Sequence, residues 1–276
     1  MSLNYKSMFS IEGKRIAITG GAGVLCGEMA RALVALGAKV AVIDYNIEGA
    51  QQLCRQIPAS PGRAIAVKCD VLDLESVKDA LKQTLDQLGG TDVLINGAGG
   101  NKKEASCVPP KTFFDLPADA IRWVLDLNCL GTILPSGVFG RHLADCGSGC
   151  IINVASMNAF RPLTNIPAYS CAKAAVSNFT QWLAVYLATR HSPAIRVNAI
   201  APGFFLTEQN RFLLTEEKTG QLTPRGQQII SHTPMGRFGE PADLIGTLVW
   251  LISDASKFLT GVVIPVDGGF NAYSGV

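Results

Sequence analysis

The sequence predicts a single doubly wound α/β domain, a mostly parallel seven-stranded sheet with helices on both faces. Three observations predict it. Apolar runs of strand length alternate with longer helical segments along the whole chain, the order that builds βα units with right-handed crossovers. Those runs are nearly continuous rather than alternating with polar residues, as strands covered on both faces require. No composition break, repeat or linker divides the 276 residues, a length that suits one large domain.

The elements follow in order. "RIAITG" (15–20) is a strand and 28–36 a helix. "AKVAVID" (38–44) is the second strand, ending at Asp44. Residues 47–57 are helical, and the Pro58–Gly62 turn stops them. "RAIAVKCDV" (63–71) is the third strand, followed by a helix over 74–88 closed by Gly89 and Gly90. "TDVLINGAGG" (91–100) is a fourth strand running into a second glycine turn. Pro117 opens a long helix to about Asp145. "CIINVAS" (150–156) is the fifth strand, 167–191 a helix and "AIRVNAIAPG" (194–203) the sixth strand. Residues 240–253 are helical with Pro241 in the first turn, and "GVVIPVDGG" (261–269) is the last strand. One stretch, 204–231, is irregular, polar and too long for an ordinary connection; it is expected to be a lid over the substrate.

Composition excludes several classes. The net charge is +2 and no Lys/Arg cluster exceeds Lys102-Lys103, so neither nucleic acid nor an anionic membrane is an expected partner. No run reaches ~18 apolar residues. The opening "MSLNYKSMFS" lacks a signal peptide's apolar core, and a cytoplasmic location is the expectation. The eight cysteines form no Cys-x-x-Cys pair and read as core hydrophobes of a reducing compartment. His142, Cys146 and Cys150 recur every four residues, but Gly147 and Gly149 break the helix between them. No metal site is expected.

"TGGAGVLCG" (19–27) joins the first strand to the first helix. Such a turn aims backbone N–H groups and the positive end of a helix at one point, suited to a phosphate. Asp44 closes the second strand, 24 residues after Gly20. A carboxylate there accepts hydrogen bonds from both adenosine ribose hydroxyls and repels a 2′-phosphate, which favours NAD over NADP. The alternative is that Asp44 only caps the following helix. Tyr45, in place of an arginine, supports NAD.

With these motifs the chain resembles the short-chain dehydrogenase/reductase family, whose fold is a Rossmann-type domain. The family's first motif is Thr-Gly-x-x-x-Gly-x-Gly. Thr19 and Gly20 match, while Val24 and Cys26 stand at the other two glycines. Downstream, Ala30, Leu33, Gly37, Ala38, Val40 and Asp44 keep register, so these are substitutions and not a slipped frame. A pyrophosphate is expected on a shifted set of amides from Gly20, Gly21, Gly23, Val24 and Leu25, with the Val24 and Cys26 side chains turned away. A broken site is the alternative. The resemblance further implies cofactor contacts from Asp70 and Val71, from Asn96, Gly97, Ala98 and Gly99, and from Pro202, Gly203 and Thr207. Asn-Gly-Ala-Gly departs from the family's Asn-Asn-Ala-Gly at Gly97, and Asn96 is expected to brace the sheet rather than touch substrate.

"PAYSCAKAA" places Tyr169 and Lys173 four apart on one helical face. Ser156 lies thirteen residues before Tyr169, and Asn128 upstream in "DLNCLG". These match the family's Asn, Ser and Tyr-x-x-x-Lys. Removing a hydride from an alcohol carbon requires loss of the hydroxyl proton. A tyrosine titrating near ~10 is a poor base at neutral pH, and a neighbouring ammonium and nicotinium charge favour its phenolate. Lys173 is thus expected to tune Tyr169 and hold the nicotinamide ribose, and Ser156 to donate to the substrate oxygen. The resemblance gives Asn128 a water that links Lys173 to solvent. A non-catalytic NAD sensor would not need this set.

For substrate, the cationic candidates are Lys102, Lys103, Arg161, Arg211 and Arg225; Asn158, Gln209 and Asn210 are candidates for hydroxyls. This polar lining suits a polyhydroxylated molecule better than a steroid or fatty acyl chain. "GGNKKEA", "SMNAF", "NFTQWLA", "APGFFLTEQNR", "SHTPMGRFGEP" and "VDGGFNAYSGV" resemble the family's sugar-acid oxidoreductases, which implies a small sugar-acid substrate. The family resemblance also implies a homotetramer built on the long fourth and fifth helices and the last strand, with the tail 270–276 reaching a neighbour.

Overall fold

The structure is a computed structural model that describes residues 5, 7–58, 61–207, 214–216 and 219–275. Among these residues seven strands form one sheet: β1 (Arg15–Thr19), β2 (Lys39–Asp44), β3 (Arg63–Lys68), β4 (Val93–Asn96), β5 (Gly149–Val154), β6 (Ile195–Pro202) and β7 (Val263–Val266). Their order is β3-β2-β1-β4-β5-β6-β7. All six pairings are parallel, where the sequence led us to expect a mostly parallel sheet. Successive strands step outward on opposite sides of β1, which opens a crevice at the carboxyl ends beside it.

Strand periodicity divides the core in two. Ile16, Ile18, Val40, Val42 and Ile95 face one layer, with Met29, Leu33, Leu248 and Leu251 from α1 (Val24–Ala35) and α8 (Ile245–Ile252). The intervening Ala17, Ala41, Ile43 and Leu94 face the other layer. That layer takes Val77 and Ala80 from α3 (Leu74–Leu88), Phe139 and Leu143 from α5 (Gly131–Cys146), and Leu183 and Leu187 from α6 (Pro167–Arg190). Alternation by two, with both faces apolar, is what made the strands look continuous in sequence.

Several boundaries differ from the sequence expectation. The first helix starts at Val24, with Gly23 as its N-cap, so Val24 to Gly27 form its first turn and not a loop. α2 (Ile47–Gln56) begins where Asn46 accepts from Gly49 N at 3.0 Å. Asp70 and Val71 lie beyond the end of β3. The long helix expected from Pro117 is α4 (Ala118–Leu125), a π turn over Asp126–Leu130, then α5. The last helical stretch opens with a 3-10 turn at Pro241–Leu244. The 204–231 stretch is not wholly irregular: it ends in α7 (Pro224–Ser231), capped by Thr223 Oγ1 accepting from Gly226 N at 3.1 Å.

Cys146 Sγ lies 3.5 Å from His142 Nε2, whereas Cys150 is buried in β5 with its Sγ on the Leu251 carbonyl. The three do not converge. Among the described residues no helix is long and apolar enough to cross a membrane.

Candidate active site

A cavity of about 950 Å³ lies at the carboxyl ends of the strands. Its walls come from residues that follow successive strands: Gly20 after β1, Asp44 at the end of β2, Gly97 to Gly100 after β4, Ser156 after β5, and Pro202 and Gly203 at β6.

The glycine turn is a cradle fitted to backbone. Gly20 has φ +62°, and a Cβ on it would stand 2.7 Å from Ala98 N and Cα. The first-turn N–H groups of α1, from Val24, Leu25 and Cys26, have no partner in the preceding turn and face the crevice end of the helix. Val24, Leu25, Gly23 and Ala22 line the cavity. Gly21 does not: its N–H donates to Ile43 O at 3.0 Å, and a Cβ would meet Ile18 O and Val42 at 2.9 Å. Its smallness serves strand packing. Val24 itself is half-buried. Cys26 also lines the cavity, and its sulfur is buried against the β4 loop, where a Cβ on Gly97 would meet it. Two of the three departures from the family motifs, Cys26 and Gly97, therefore occupy one contact.

Asp44 reaches this turn directly. Its Oδ2 accepts from Ala22 N and its Oδ1 from Asn46 N, both at 2.9 Å. It braces the glycine turn while its half-buried carboxylate lines the cavity. Asp70 and Val71 line the wall beyond. Asn96 does not: its Nδ2 donates to Ser136 Oγ and Asn153 Oδ1, both at 2.8 Å, inside the core. It braces β4 against β5 and α5, so the direct cofactor contact expected of it is corrected. Gly97, Ala98, Gly99, Pro202, Gly203 and Thr207 do line the cavity.

Ser156, Tyr169 and Lys173 converge on the same cavity. Ser156 sits two residues past β5 and caps a 3-10 turn. It stands beside the Tyr169 phenol and favours its phenolate. One helical turn on, Lys173 Nζ donates to Val154 O at 2.8 Å and stands 5.5 Å from the Tyr169 ring centre. Burial pushes Tyr169 up to about 12, opposed by Ser156. Burial likewise pushes Lys173 down to about 8. Desolvation of the charged oxygen is the larger influence on the phenol in the protein alone. Asn128 is fully buried in the π turn and does not line the cavity. Its Nδ2 donates to Gly100 O at 2.7 Å and Val124 O at 2.8 Å, and its Oδ1 accepts from Gly100 N at 3.2 Å. Its side chain holds the β4 loop against the helix.

The substrate candidates separate. Asn158 is buried behind Ser156, its N–H donating to Ser156 Oγ at 3.3 Å, and it does not line the cavity. Arg161 is exposed and also absent from the wall; its Nε donates to Asn271 O at 2.7 Å and ties the tail to the β5–α6 loop. Gln209, Asn210 and Arg211 lie outside the described residues. The sequence reading missed Trp123, Leu127, Phe204 and Phe205 in the wall. Spacing gave a usable signal for Leu127, one residue before Asn128. Trp123 carries Lys102 Nζ over its ring at 5.2 Å, a pairing with no local sequence pattern.

A glycine cradle, an acid at the end of β2 and a Ser-Tyr-Lys cluster in one crevice are the family's constellation. The family model described as enoyl-(acyl carrier protein) reductase matches residues 23–271. The chain belongs to the short-chain dehydrogenase/reductase family. An NAD-bound crystal structure from Haemophilus influenzae, provisionally named a D-mannonate oxidoreductase, superposes with a TM-score of 0.91 at 47% identity, covering 99% of this chain and 100% of that one. The Bacillus subtilis protein named uncharacterized oxidoreductase UxuB is 47% identical over 97% of this chain and 98% of its own. The 5-keto-D-gluconate 5-reductase of Escherichia coli is 32% identical over 95% of this chain and 97% of its own.

Proposed function

We propose that this short-chain dehydrogenase/reductase uses NAD to interconvert a secondary alcohol and a ketone on a sugar acid, with D-mannonate and D-fructuronate as the pair. The observation that carries the reaction is the meeting of Ser156, Tyr169 and Lys173 in the cavity that Asp44 and the glycine turn also line. Support for the substrate comes from the NAD-bound Haemophilus relative and from the sugar-acid stretches quoted above. The 5-keto-D-gluconate relative favours gluconate oxidation at C5 as the second reading. An NAD sensor has no use for the cluster.

The residues fit the dinucleotide. Glycines at 20 and 97 let the two turns pack against each other, the first turn of α1 offers N–H groups that would take a pyrophosphate, and the Asp44 carboxylate would take the adenosine ribose. Bound NAD supplies the hydride acceptor and a positive ring. Ser156 Oγ orients the substrate oxygen, and Tyr169 Oη exchanges a proton with it. Lys173, anchored on Val154 O, holds a positive charge beside the phenol and reaches ribose hydroxyls. Asn128 fixes Gly100 through two hydrogen bonds, in the part of the wall that would back the cofactor.

The 204–231 stretch, with α7 at its end, serves as the lid. All eight cysteines are free, which supports a reducing, cytoplasmic setting. The exposed Trp182 and Tyr186 on α6, stacked at 5.1 Å, with the half-buried Phe179 6.2 Å beyond Trp182, support assembly through that helix into a homotetramer. NADH consumption assayed against D-fructuronate, 5-keto-D-gluconate and an uncharged keto sugar tests the reading. Preference for D-fructuronate supports it, and inactivity on every keto acid overturns it.

A further inference from the structure

Cys26 and Gly97 stand where the family carries glycine and asparagine, and they face each other. A Cβ on Gly97 would sit 2.2 Å from Cys26 Sγ but 3.6 Å from Cys26 Cβ, an ordinary contact. The sulfur fills the space on one side, and Thr19 O, 2.8 Å from the same point, bounds it on another. Cys26 is 5% exposed, so the sulfur has walls on its other sides. Two more close approaches continue the line. A Cβ on Gly20 would meet Ala98 at 2.7 Å, and one on Gly99 would meet Asn128 Oδ1 at 2.7 Å and Lys173 Nζ at 3.2 Å. Backbone and side chains are thus in contact from the first turn of α1, through residues 97–99, to the Lys173 ammonium. Close-packed interiors transmit displacement along such a line with little loss.

We infer that Cys26 is a positioning residue, whose sulfur fills the space left by Gly97 and sets the distance between the phosphate-binding turn of α1 and the loop that backs Lys173. The inference rests on the dinucleotide reading above. Any atom added on either side of the contact moves the loop toward Asn128 and Lys173 and misplaces the cofactor.

Wild type, Cys26→Ala, Gly97→Ala and the double variant test it, because C26A/G97A moves one heavy atom across the contact and conserves volume. NADH affinity is measured by fluorescence titration at several pH values, alongside thermal unfolding. Gly97→Ala is expected to weaken NADH binding by about tenfold or more and to alter its pH dependence, and Cys26→Ala to weaken it about threefold. The double variant is expected to return to within about threefold of wild type, a coupling typical of residues in contact. Full recovery is not expected, because Thr19 O would lie 2.8 Å from the new Cβ. If Gly97→Ala does not fold, a folded double variant that binds NADH upholds the inference, and a double variant that also fails overturns it. Gly97→Ala binding like wild type, a double variant no better than Gly97→Ala, or a loss of thermal stability with affinity and pH dependence unchanged each overturns it. Wild-type protein that fails to bind NADH overturns the functional reading and this inference together. Bound wild type with uncoupled variants overturns this inference alone.

Discussion

Lys173 Nζ is hydrogen-bonded at 2.8 Å to the carbonyl of Val154, the last residue of β5. The bond ties the middle of the cavity wall on α6 to the strand whose continuation carries Ser156. The position of the ammonium is therefore set by the sheet and not by the helix alone.

Tyr169→Phe should lower turnover by about 10²–10⁴-fold, the range for removal of a general acid–base group. NADH affinity should change little. Steady-state kinetics with a parallel binding titration checks this, and near-normal turnover in the variant would reassign the proton transfer.

Lys173 gives a pH signature. Its folded value of about 8 lies below the unfolded value of about 10.4. Below pH 8 both states hold the proton and the burial penalty is fully present. Between 8 and 10.4 the unfolded state binds more protons, so this group's penalty is relieved as pH rises. The difference is on the order of 3 kcal/mol. Cys26, held up at about 12, and Cys69, at about 11, push the other way above pH 9. The comparison is therefore calorimetry of wild type against Lys173→Met at each pH from 7 to 10. The wild type should gain relative to the variant across the upper part of that range, and a flat difference would contradict the burial argument.

Asn128→Ala removes the bonds to Gly100 and Val124 and leaves buried backbone groups unpaired. A loss of about 2–3 kcal/mol is expected, read as a lower Tm together with weaker NADH binding. Unchanged NADH affinity would separate the β4 loop from the cofactor.

Asp44→Ala should raise KM for NAD by about ten- to a hundredfold, from the loss of charged hydrogen bonds, and narrow the preference over NADP. The same substitution frees Ala22 N, so faster amide exchange in the glycine turn is expected.

Arg161→Ala should leave Tm almost unchanged, because the pair is exposed. Hydrogen exchange in residues 270–275 should accelerate once Asn271 O loses its donor. A protected tail in the variant would show that other contacts hold it.

The sheet was legible because each strand, buried on both faces, left a continuous apolar run, and glycines marked the turns. α3 matched at both ends because Asp73 and Gly89 cap it. α1 was misjudged at its start because Gly23 and Gly27 looked like loop, whereas a glycine N-cap costs little. The π turn was not legible: what accompanies it is the bonding of Asn128 to Gly100, twenty-eight residues distant. Ser156, Tyr169 and Lys173, which meet in the cavity, were readable by spacing joined to the family pattern. Asn96, Gly21, Asn158 and Arg161 were not, since a polar or small residue beside a motif looks the same whether it faces the crevice or the core. The meeting of Cys26 with Gly97 needed two separate βα turns to be brought together.

The position of β7 has a consequence for synthesis of the chain. It lies at the sheet's rim, bonded to β6 through the register Ala199↔Val263 to Pro202↔Val266. β1 to β4, by contrast, assemble from the amino-terminal third. On the ribosome the dinucleotide half can close early, while β6 must wait for residues 263–266 to emerge before its outer edge is covered. A stalled or truncated chain would expose that edge as a template for aggregation.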